Sequence, residues 1–357
     1  MQNITDTLLG LLGEIPREQP AITIIGDLNY DWIYSCPQLE RGKEVLISSY
    51  SRQIAGAGGY VACGMARLGA RVDFVTDLGA DAEGRELYEE IARRGIGRQR
   101  TRLVEGQRSP FTLIFSEAGE GMPRQAATYQ GTLADFALRP GDFPSLAGSC
   151  ELVYSCSYFI MPALRAVMGE IFRRCRTAGI RTAYDANAGD QWGDPKALRI
   201  LREEIYPQSD FIFLNGAEAH SLTGLEDPRK AAEAVQPPGA IVVVKGGPRG
   251  VVLRHEGRLI DLDAFPLPSK VMDTVGAGDS FQAAFLYFSL SGLPPSLSAV
   301  LGAANAASTV LSTGGTTGQL DRDGLARFIR DYAILDGGEG GIRVQMRSPD
   351  LSSRGTR

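Results

Sequence analysis

The stretch Asp273-Thr274-Val275-Gly276-Ala277-Gly278-Asp279-Ser280-Phe281 puts a Gly-Ala-Gly turn at the mouth of an apolar helix and a carboxylate in its first turn. Small residues let the first backbone N–H groups converge on one point, where the helix dipole adds partial positive charge and makes an anion hole. Asp279 lies within side-chain reach of whatever the hole binds, placed to take a proton from an attacking hydroxyl. A bare G-x-G-D also has a plainer reading, a tight turn followed by a favourable first-turn charge. No G-x-x-x-x-G-K-[ST] string occurs, so a phosphate site here is of a different kind from a P-loop. The first strand runs into Gly26-Asp27-Leu28-Asn29, with no G-x-G-x-x-G opening a helix, which argues against a nicotinamide dehydrogenase.

The elements that must position these residues follow from periodicity. Ala21–Gly26 is a β-branched run ending in glycine, hence a buried strand. From Glu151 the pattern alternates: strands at Leu152–Ser155, Ile180–Asp185, Phe211–Leu214 and Ile241–Lys245, with helices at Pro162–Ala178, Pro195–Ile205 and Ala217–Leu222 between them. A hairpin, Val251–Leu253 with Arg258–Leu262, leads to helices Ala277–Ser291, Ser296–Ser312 and Asp321–Tyr332. Alternating βα units imply a parallel sheet with helices on both faces. Ile33–Ile54 and Pro110–Gln130 do not fit that alternation and read as a second, small sheet, the latter with a polar turn at Glu117–Pro123.

With 357 residues, 43% hydrophobic and 22% charged, the chain is long enough for a large core without disulfides. Its net charge of −5 and lack of a long basic run argue against a nucleic-acid partner. Five cysteines, none in a C-x-x-C pair, exclude a zinc knuckle and fit a reducing compartment, while two histidines are too few for a three-His zinc site. Residues 1–20 read as a short amphipathic helix instead of a secretory leader, and apolar runs such as Phe281–Leu293 are too short to span a bilayer. These features predict a soluble, cytoplasmic protein with no membrane partner.

The nine-residue string resembles the C-terminal signature of the ribokinase-like (PfkB) carbohydrate kinase family. Four further segments resemble that family in the right order: Gly26-Asp27-Leu28-Asn29-Tyr30-Asp31, Gly56-Ala57-Gly58-Gly59 running into Ala66-Arg67-Leu68-Gly69, Asn215-Gly216-Ala217-Glu218, and Lys245-Gly246-Gly247-Pro248-Arg249-Gly250. The resemblance implies an α/β fold, with a central, mostly parallel β-sheet flanked by helices on both faces and a small β-sheet lid. It would cover residues 21–335, with the lid from about 33–54 and 110–130, a helical extension at 1–20 and a flexible tail at 336–357. It implies ATP-dependent phosphorylation of a sugar hydroxyl, with Asp279 as the catalytic base and the N–H groups of Gly276, Ala277 and Gly278 neutralising charge on the transferring phosphoryl group. Asn215 and Glu218 would organise Mg²⁺, the latter through water. Lys245, Gly247 and Gly250 would line the nucleotide and Asn305 would flank the adenine. Asn29, Asp31 and the Gly56–Tyr60 segment would meet the sugar. Asp273, the Val275 carbonyl and Gly315 match a region that often holds a monovalent cation such as K⁺. Family members often pair through their lid sheets, so a homodimer is expected.

The residues themselves leave several plainer readings open. Asn29 and Asp31 could cap a turn, although alternate residues beyond a strand end point the same way. Glu218 could be a surface helix charge and Lys245 a snorkelling edge residue. Asp185 and Asn187 end a strand on the ligand-binding side of the sheet and are candidates for ordering phosphates or Mg²⁺. Tyr158 follows another strand and could meet substrate or pack in the core. Tyr60 replaces the usual sugar-binding asparagine, and Ala57 replaces a lysine some members carry, so the pocket is expected to be reshaped. A nucleoside kinase, with Tyr60 and Phe111 as base walls, is the alternative. A phosphosugar kinase would draw on Lys43, Arg52 or Arg108, and a silent sensor would bind without turnover.

Overall fold

The computed structural model describes residues 2–15, 19–36, 39, 42–116, 125–138, 150–187, 194–338 and 341–347. The expected turn at Glu117–Pro123 and residues 348–357 of the expected tail lie outside the described residues. Among those described, one sheet holds twelve strands. In chain order they are β1 (Gln2–Asn3), β2 (Ala21–Ile25), β5 (Arg71–Gly79), β6 (Gly97–Val104), β9 (Leu152–Cys156), β10 (Arg181–Asp185), β11 (Phe211–Asn215), β12 (Ile241–Lys245), β13 (Val251–His255), β14 (Arg258–Leu262), β15 (Tyr332–Asp336) and β16 (Ile342–Met346). Their spatial order is β1-β15-β16-β14-β13-β12-β11-β10-β9-β2-β5-β6, and the block from β12 to β6 is parallel throughout.

Every residue of β2 is buried, as a parallel strand covered on both faces requires. Ile22 and Ile24 face a core built with helices Ala57–Leu68, Ala277–Leu290 and Pro295–Thr309. Ile25 faces the opposite core, built with helices Met168–Thr177, Pro195–Ile200, Gly216–Thr223 and Pro228–Ala234. From β2 the chain runs to β5 on one side, and β9 takes up the other side. A crevice therefore opens beyond the carboxyl ends of β2 and β9, where the strand order switches direction.

The second sheet is the lid: β3 (Asn29–Ser35), β4 (Ser49–Ala55), β7 (Phe111–Ser116) and β8 (Gln125–Tyr129), in the order β4-β3-β7-β8. Its first strand begins at Asn29, earlier than the Ile33 expected, so Asn29 and Asp31 belong to the lid and not to a turn. The register pairs Asp31 with Gln53 and Thr112, and Thr112 with Thr128, which puts these polar groups on one face. Tyr30, Trp32, Tyr34, Tyr50, Phe111 and Phe115 take the other face, where Tyr34 stacks on Phe115 with centroids 5.5 Å apart.

β16 lies inside the segment 336–357 expected to be loose, and β15 runs up to the first residue of that segment. They form an antiparallel pair, and β16 meets β14 at Leu262↔Ile342. Ile342 and Val344 are buried while Arg343 and Gln345 are exposed, a period of two that a five-residue strand between Gly- and Arg-rich segments conceals. The N-terminal helix, Thr5–Glu14, docks on the same edge through Leu8 and Leu12. Arg322 Nη2 donates to the carbonyls of Leu12 (2.8 Å) and Ile15 (3.1 Å), and Thr5 Oγ1 accepts from Ile334 N at 2.9 Å. The N-terminal helix, β15 and β16 thus form one unit at this edge of the sheet. No described helix is long and apolar enough to cross a membrane.

Leu8 is fully buried. Its truncation to alanine is expected to lower unfolding free energy by about 2–5 kcal/mol in urea denaturation. A loss under about 1 kcal/mol would show that the N-terminal helix lies outside the cooperative unit.

Candidate active site

Two cavities meet in the crevice. The one under the lid measures about 270 Å³ and is lined by Asp27, Asn29, Asp31, Gly56, Ala57, Tyr60, Thr112, Thr128, Ser157, Asn187, Val275, Gly276 and Asp279, with Pro110, Leu133 and Ile160 as apolar patches. The other measures about 650 Å³. Asp185, Asn215, Glu218, Lys245, Gly247, Gly250, Ala277 and Gly278 line its polar end, and Phe265, Leu267, Val271, Ala303, Ala306 and Val310 are among its apolar walls. Asp279 and Asn187 line both cavities.

The helix Ala277–Leu290 starts at Gly276, which takes φ 70°, a left-handed conformation that suits glycine. Ala277 N makes a long bond to Thr274 O at 3.4 Å, while the amides of Gly278 and Asp279 precede the first helical bond, Ser280 N to Gly276 O at 2.8 Å, and so remain available to a ligand. Gly278 stands beside Lys245: a methyl there would meet Lys245 Nζ at 3.4 Å, an ordinary van der Waals contact. Asp279 opens on the cleft but is ringed by protein. Burial pushes its carboxyl up to about 8, opposed by Lys245 and reinforced by the charges of Asp185, Asp27 and Glu218.

Lys245 Nζ bonds Asp185 Oδ2 at 2.8 Å. Burial works against its ammonium, but Asp185, Glu218 and Asp279 outweigh that cost and raise its pKa. It is a cleft residue, not a snorkelling edge. Asp185 also accepts from Asn187 N at 2.9 Å and from Gln282 Nε2, so its position is set from three sides. Asn215 and Glu218 form a capping box: Asn215 Oδ1 accepts from Glu218 N at 2.9 Å and Glu218 Oε2 accepts from Asn215 N at 2.7 Å. The box holds Glu218 at the cavity wall, only 4% exposed.

On the lid side, Asn29 Nδ2 donates to Asp31 Oδ1 at 3.0 Å, and the Tyr60 hydroxyl donates to Asp31 Oδ2 at 2.9 Å. Burial lifts the Asp31 carboxyl to about 6, while its bonds from Tyr60 and Asn29 pull it down. Gly58 and Gly59 lie behind the wall and do not line the cavity. Gly58 lets the helix start pack closely on Gly26 and Asp27: a methyl there would fall 2.9 Å from Asp27 O and 3.2 Å from Gly26 Cα. Asp273 stands apart from both cavities and accepts from Val275 N (2.9 Å) and Gly314 N (3.1 Å), drawing two loops together.

Two expected contacts are corrected. Tyr158 is 1% exposed and its hydroxyl donates to Ala197 O at 2.6 Å, so it packs in the core. Asn305 is fully buried; it donates to Ser280 O and accepts from Leu320 N, both at 2.8 Å. Its helix turns Ala303, Ala306 and Val310 to the cavity and Asn305 away from it. Phe111 stands on the outer lid face against Tyr129, and Arg52 is held by Glu86 at 2.6 Å and by the Tyr30 ring. Neither lines either of these two cavities, and neither do Lys43 or Arg108.

Sequence reasoning missed Asp27 and Ser157. Asp27 caps the helix at 57–68, accepting from Ala57 N (3.1 Å) and Gly58 N (3.0 Å), and Ser157 Oγ donates to it at 2.6 Å. Ser157 adopts φ 64°, a strained value for a non-glycine residue that marks the strand end. The available signal was a polar residue within two positions past each of the two strands flanking the switch point. Thr112 and Thr128 were also missed, because their side depends on lid register.

Comparison with known proteins follows this geometry. Residues 19–322 match the model of the pfkB family carbohydrate kinases. A 2-dehydro-3-deoxygluconokinase of Bacillus subtilis is 28% identical over 296 residues, covering 79% of this chain and 88% of that protein. A ribokinase of Haemophilus influenzae is 24% identical, covering 74% of this chain and 84% of that protein. The fold matches that of Arabidopsis thaliana ribokinase complexed with ribose and ATP, at a TM-score of 0.75 and 21% identity, covering 87% of this chain and 99% of that one. The chain belongs to the pfkB family of carbohydrate kinases and is a sugar kinase, a phosphotransferase with an alcohol group as acceptor.

Proposed function

We propose that this kinase transfers the γ-phosphoryl group of ATP to a hydroxyl of a neutral sugar, with Asp279 as the general base. The observation that carries this reading is the position of Asp279, in the wall shared by the lid-side cavity and the larger cavity. A sugar under the lid would present its hydroxyl to that carboxylate, while Asn29, Asp31, Thr112 and Thr128 offer hydrogen bonds to its other hydroxyls. The hydroxyl oxygen bonds to phosphorus, its proton passes to Asp279, and the bridging oxygen leaves with ADP. The amides at the helix start and the Lys245 ammonium offset the charge on the phosphoryl oxygens. A base whose proton affinity is lifted toward neutrality suits this step.

The apolar walls of the larger cavity suit a nucleobase, and its polar end suits phosphates. The described residues build no cluster of three metal-ligating side chains. They do face the cavity with the oxygen donors Asp185, Asn187 and Glu218, a set that fits a hydrated Mg²⁺ carried on the phosphates. Bound there, the ion would neutralise phosphate charge. A monovalent cation would sit beside Asp273, which gathers the two loops carrying Val275 and Gly315. A second copy of this chain would cover the aromatic outer face of the lid, where Tyr50 is 68% exposed.

Three carboxylates, Asp27, Asp31 and Asp279, line the lid-side cavity, and no Lys or Arg does among the described residues. That favours a neutral sugar over a phosphorylated or carboxylated one. In a coupled ADP-release assay, neutral sugars are expected to exceed phosphosugars and sugar acids in kcat/KM by at least about tenfold. The reverse order would refute the substrate class while leaving the chemistry intact.

Asp279→Asn is expected to lower kcat at least about 100-fold with ATP affinity retained. A mutant keeping more than about a tenth of the wild-type rate would remove Asp279 as the base.

The same residue links stability to pH. Its carboxyl titrates near 3.8 when unfolded and about 8 when folded. Between those values the folded chain holds the extra proton, so the stability this group contributes is complete below about pH 4 and is lost as pH rises through about 8. Asp279→Asn is expected to unfold at higher temperature than wild type at pH 8 and to lose that advantage near pH 5. Parallel melting curves across this range would refute the assignment.

A further inference from the structure

Tyr60 holds a place in the site that its contact with Asp31 does not account for. Gly315 takes no left-handed φ, so its backbone would accept alanine. Space forbids it: a methyl at Gly315 would fall 2.5 Å from Tyr60 Cε1, 2.7 Å from Cζ and 2.9 Å from Cδ1. Gly315 in turn leans on Gly276, where a methyl would fall 2.7 Å from Gly315 Cα and 2.9 Å from its carbonyl oxygen. The phenol ring, the Gly315 backbone and the Gly276 backbone therefore form three layers in contact. At the far end of the ring, the hydroxyl donates to Asp31 of the lid at 2.9 Å and accepts from Gln53 of the lid at 3.4 Å. A second brace runs alongside: Gln319 Nε2 donates both to Tyr60 O (2.9 Å) and to Ser280 Oγ (3.1 Å) of the anion-hole helix.

We propose that Tyr60 is a positioning residue, a rigid spacer that sets the distance between the sugar-holding lid carboxylate and the start of the anion-hole helix. Its hydroxyl end registers the lid through Asp31 and Gln53. Its ring presses Gly315 against Gly276 and so fixes where the first-turn amides stand relative to the reacting hydroxyl. The two ends have separable consequences. The hydroxyl tunes how sugar is held, and the ring tunes the rate of transfer, because displacing catalytic groups by about 1 Å can cost on the order of 100-fold. Gly315 is glycine because the ring occupies the space of its side chain. The kinetic part of this inference rests on the sugar-kinase reading; the packing part does not.

The test is a double-mutant cycle between Tyr60→Asn and Gly315→Ala, with Tyr60→Phe beside it. Asparagine lacks the ring atoms that an alanine methyl at 315 would meet. In the wild-type background Gly315→Ala is expected to lower kcat about tenfold or more and the unfolding midpoint by about 2–6 °C. In the Tyr60→Asn background the same substitution is expected to cost less than about twofold in kcat and under about 1 °C. Tyr60→Phe keeps the ring; it is expected to raise the sugar KM about fivefold, corresponding to one lost hydrogen bond, and to lower kcat far less than Gly315→Ala does. Equal costs of Gly315→Ala in both backgrounds would overturn the spacer. Coupling in melting temperature without coupling in kcat would reduce the contact to packing and overturn the positioning role. Absence of turnover by the wild-type enzyme on every sugar would instead sink the proposed function, and it is told apart because the thermal cycle uses no substrate.

Discussion

A carboxylate held against its own preference at a helix start is the constraint around which the rest of the molecule is arranged. Asp279 faces three other acids, Asp185, Asp27 and Glu218, and burial alone would disfavour its charge. A nearby cation, Lys245, is available to offset that repulsion, and it is already shared with Asp185. The remaining acids are disarmed by backbone. Asp27 spends its oxygens on the amides of Ala57 and Gly58, and Glu218 spends one on the amide of Asn215. Asp27, Glu218 and Asp279 each serve a helix start, where a negative charge is favoured, while Asp185 is held by Lys245 and Gln282, and the repulsion left over falls on Asp279.

Placing acids at helix starts demands that helices begin where the strands end. The parallel block satisfies this: Asp27 follows β2, Ser157 follows β9, Asp185 closes β10, Asn215 closes β11 and Lys245 closes β12. Close approach of these ends requires glycine at a few points. Gly276 takes a left-handed turn, and Gly64 lets the helix at 57–68 touch Ala283 of the anion-hole helix, where a methyl on Gly64 would stand 2.7 Å from Ala283 Cβ. The two helices that border the two cavities are consequently packed backbone to backbone, which leaves little freedom between the groups that line them.

How much of this was legible in the sequence depends on how local the determining physics is. The βα alternation and the Gly-Ala-Gly-Asp turn are local, since a strand buried on both faces and a helix opening on small residues each declare themselves within ten residues. Asn305 shows a signal that was present but unread: at 100° per residue it lies opposite Ala303 and well away from Ala306 and Val310, the residues that line the cavity. Tyr158 was misplaced because Ser157 takes a left-handed φ that turns the chain, and no residue type announces that turn. β6 escaped notice because Arg98, Arg100 and Arg102 alternate with small or polar residues; their ion pairs with Glu89, Asp73 and Asp77 are long-range. β15 and β16 need the N-terminal helix as a partner from the other end of the chain, which no local pattern can supply.

The lid shows why one sheet can carry two unlike duties. Because side chains alternate across a strand, β3 sends Asn29 and Asp31 toward the cleft and Tyr30, Trp32 and Tyr34 away from it. A one-residue slip in register would exchange these sets, placing aromatic rings over Asp279 and carboxylates on the outer face. Arg52 opposes that slip. It stacks over the Tyr30 ring at 4.2 Å and bonds Glu86 of the main body at 2.6 Å, which ties the outer face of the lid to a fixed helix. The polar inner face is thereby specified from behind, by an aromatic and cationic contact that never touches the cleft, and the cavity-lining Asn29, Asp31, Thr112 and Thr128 inherit their position from it.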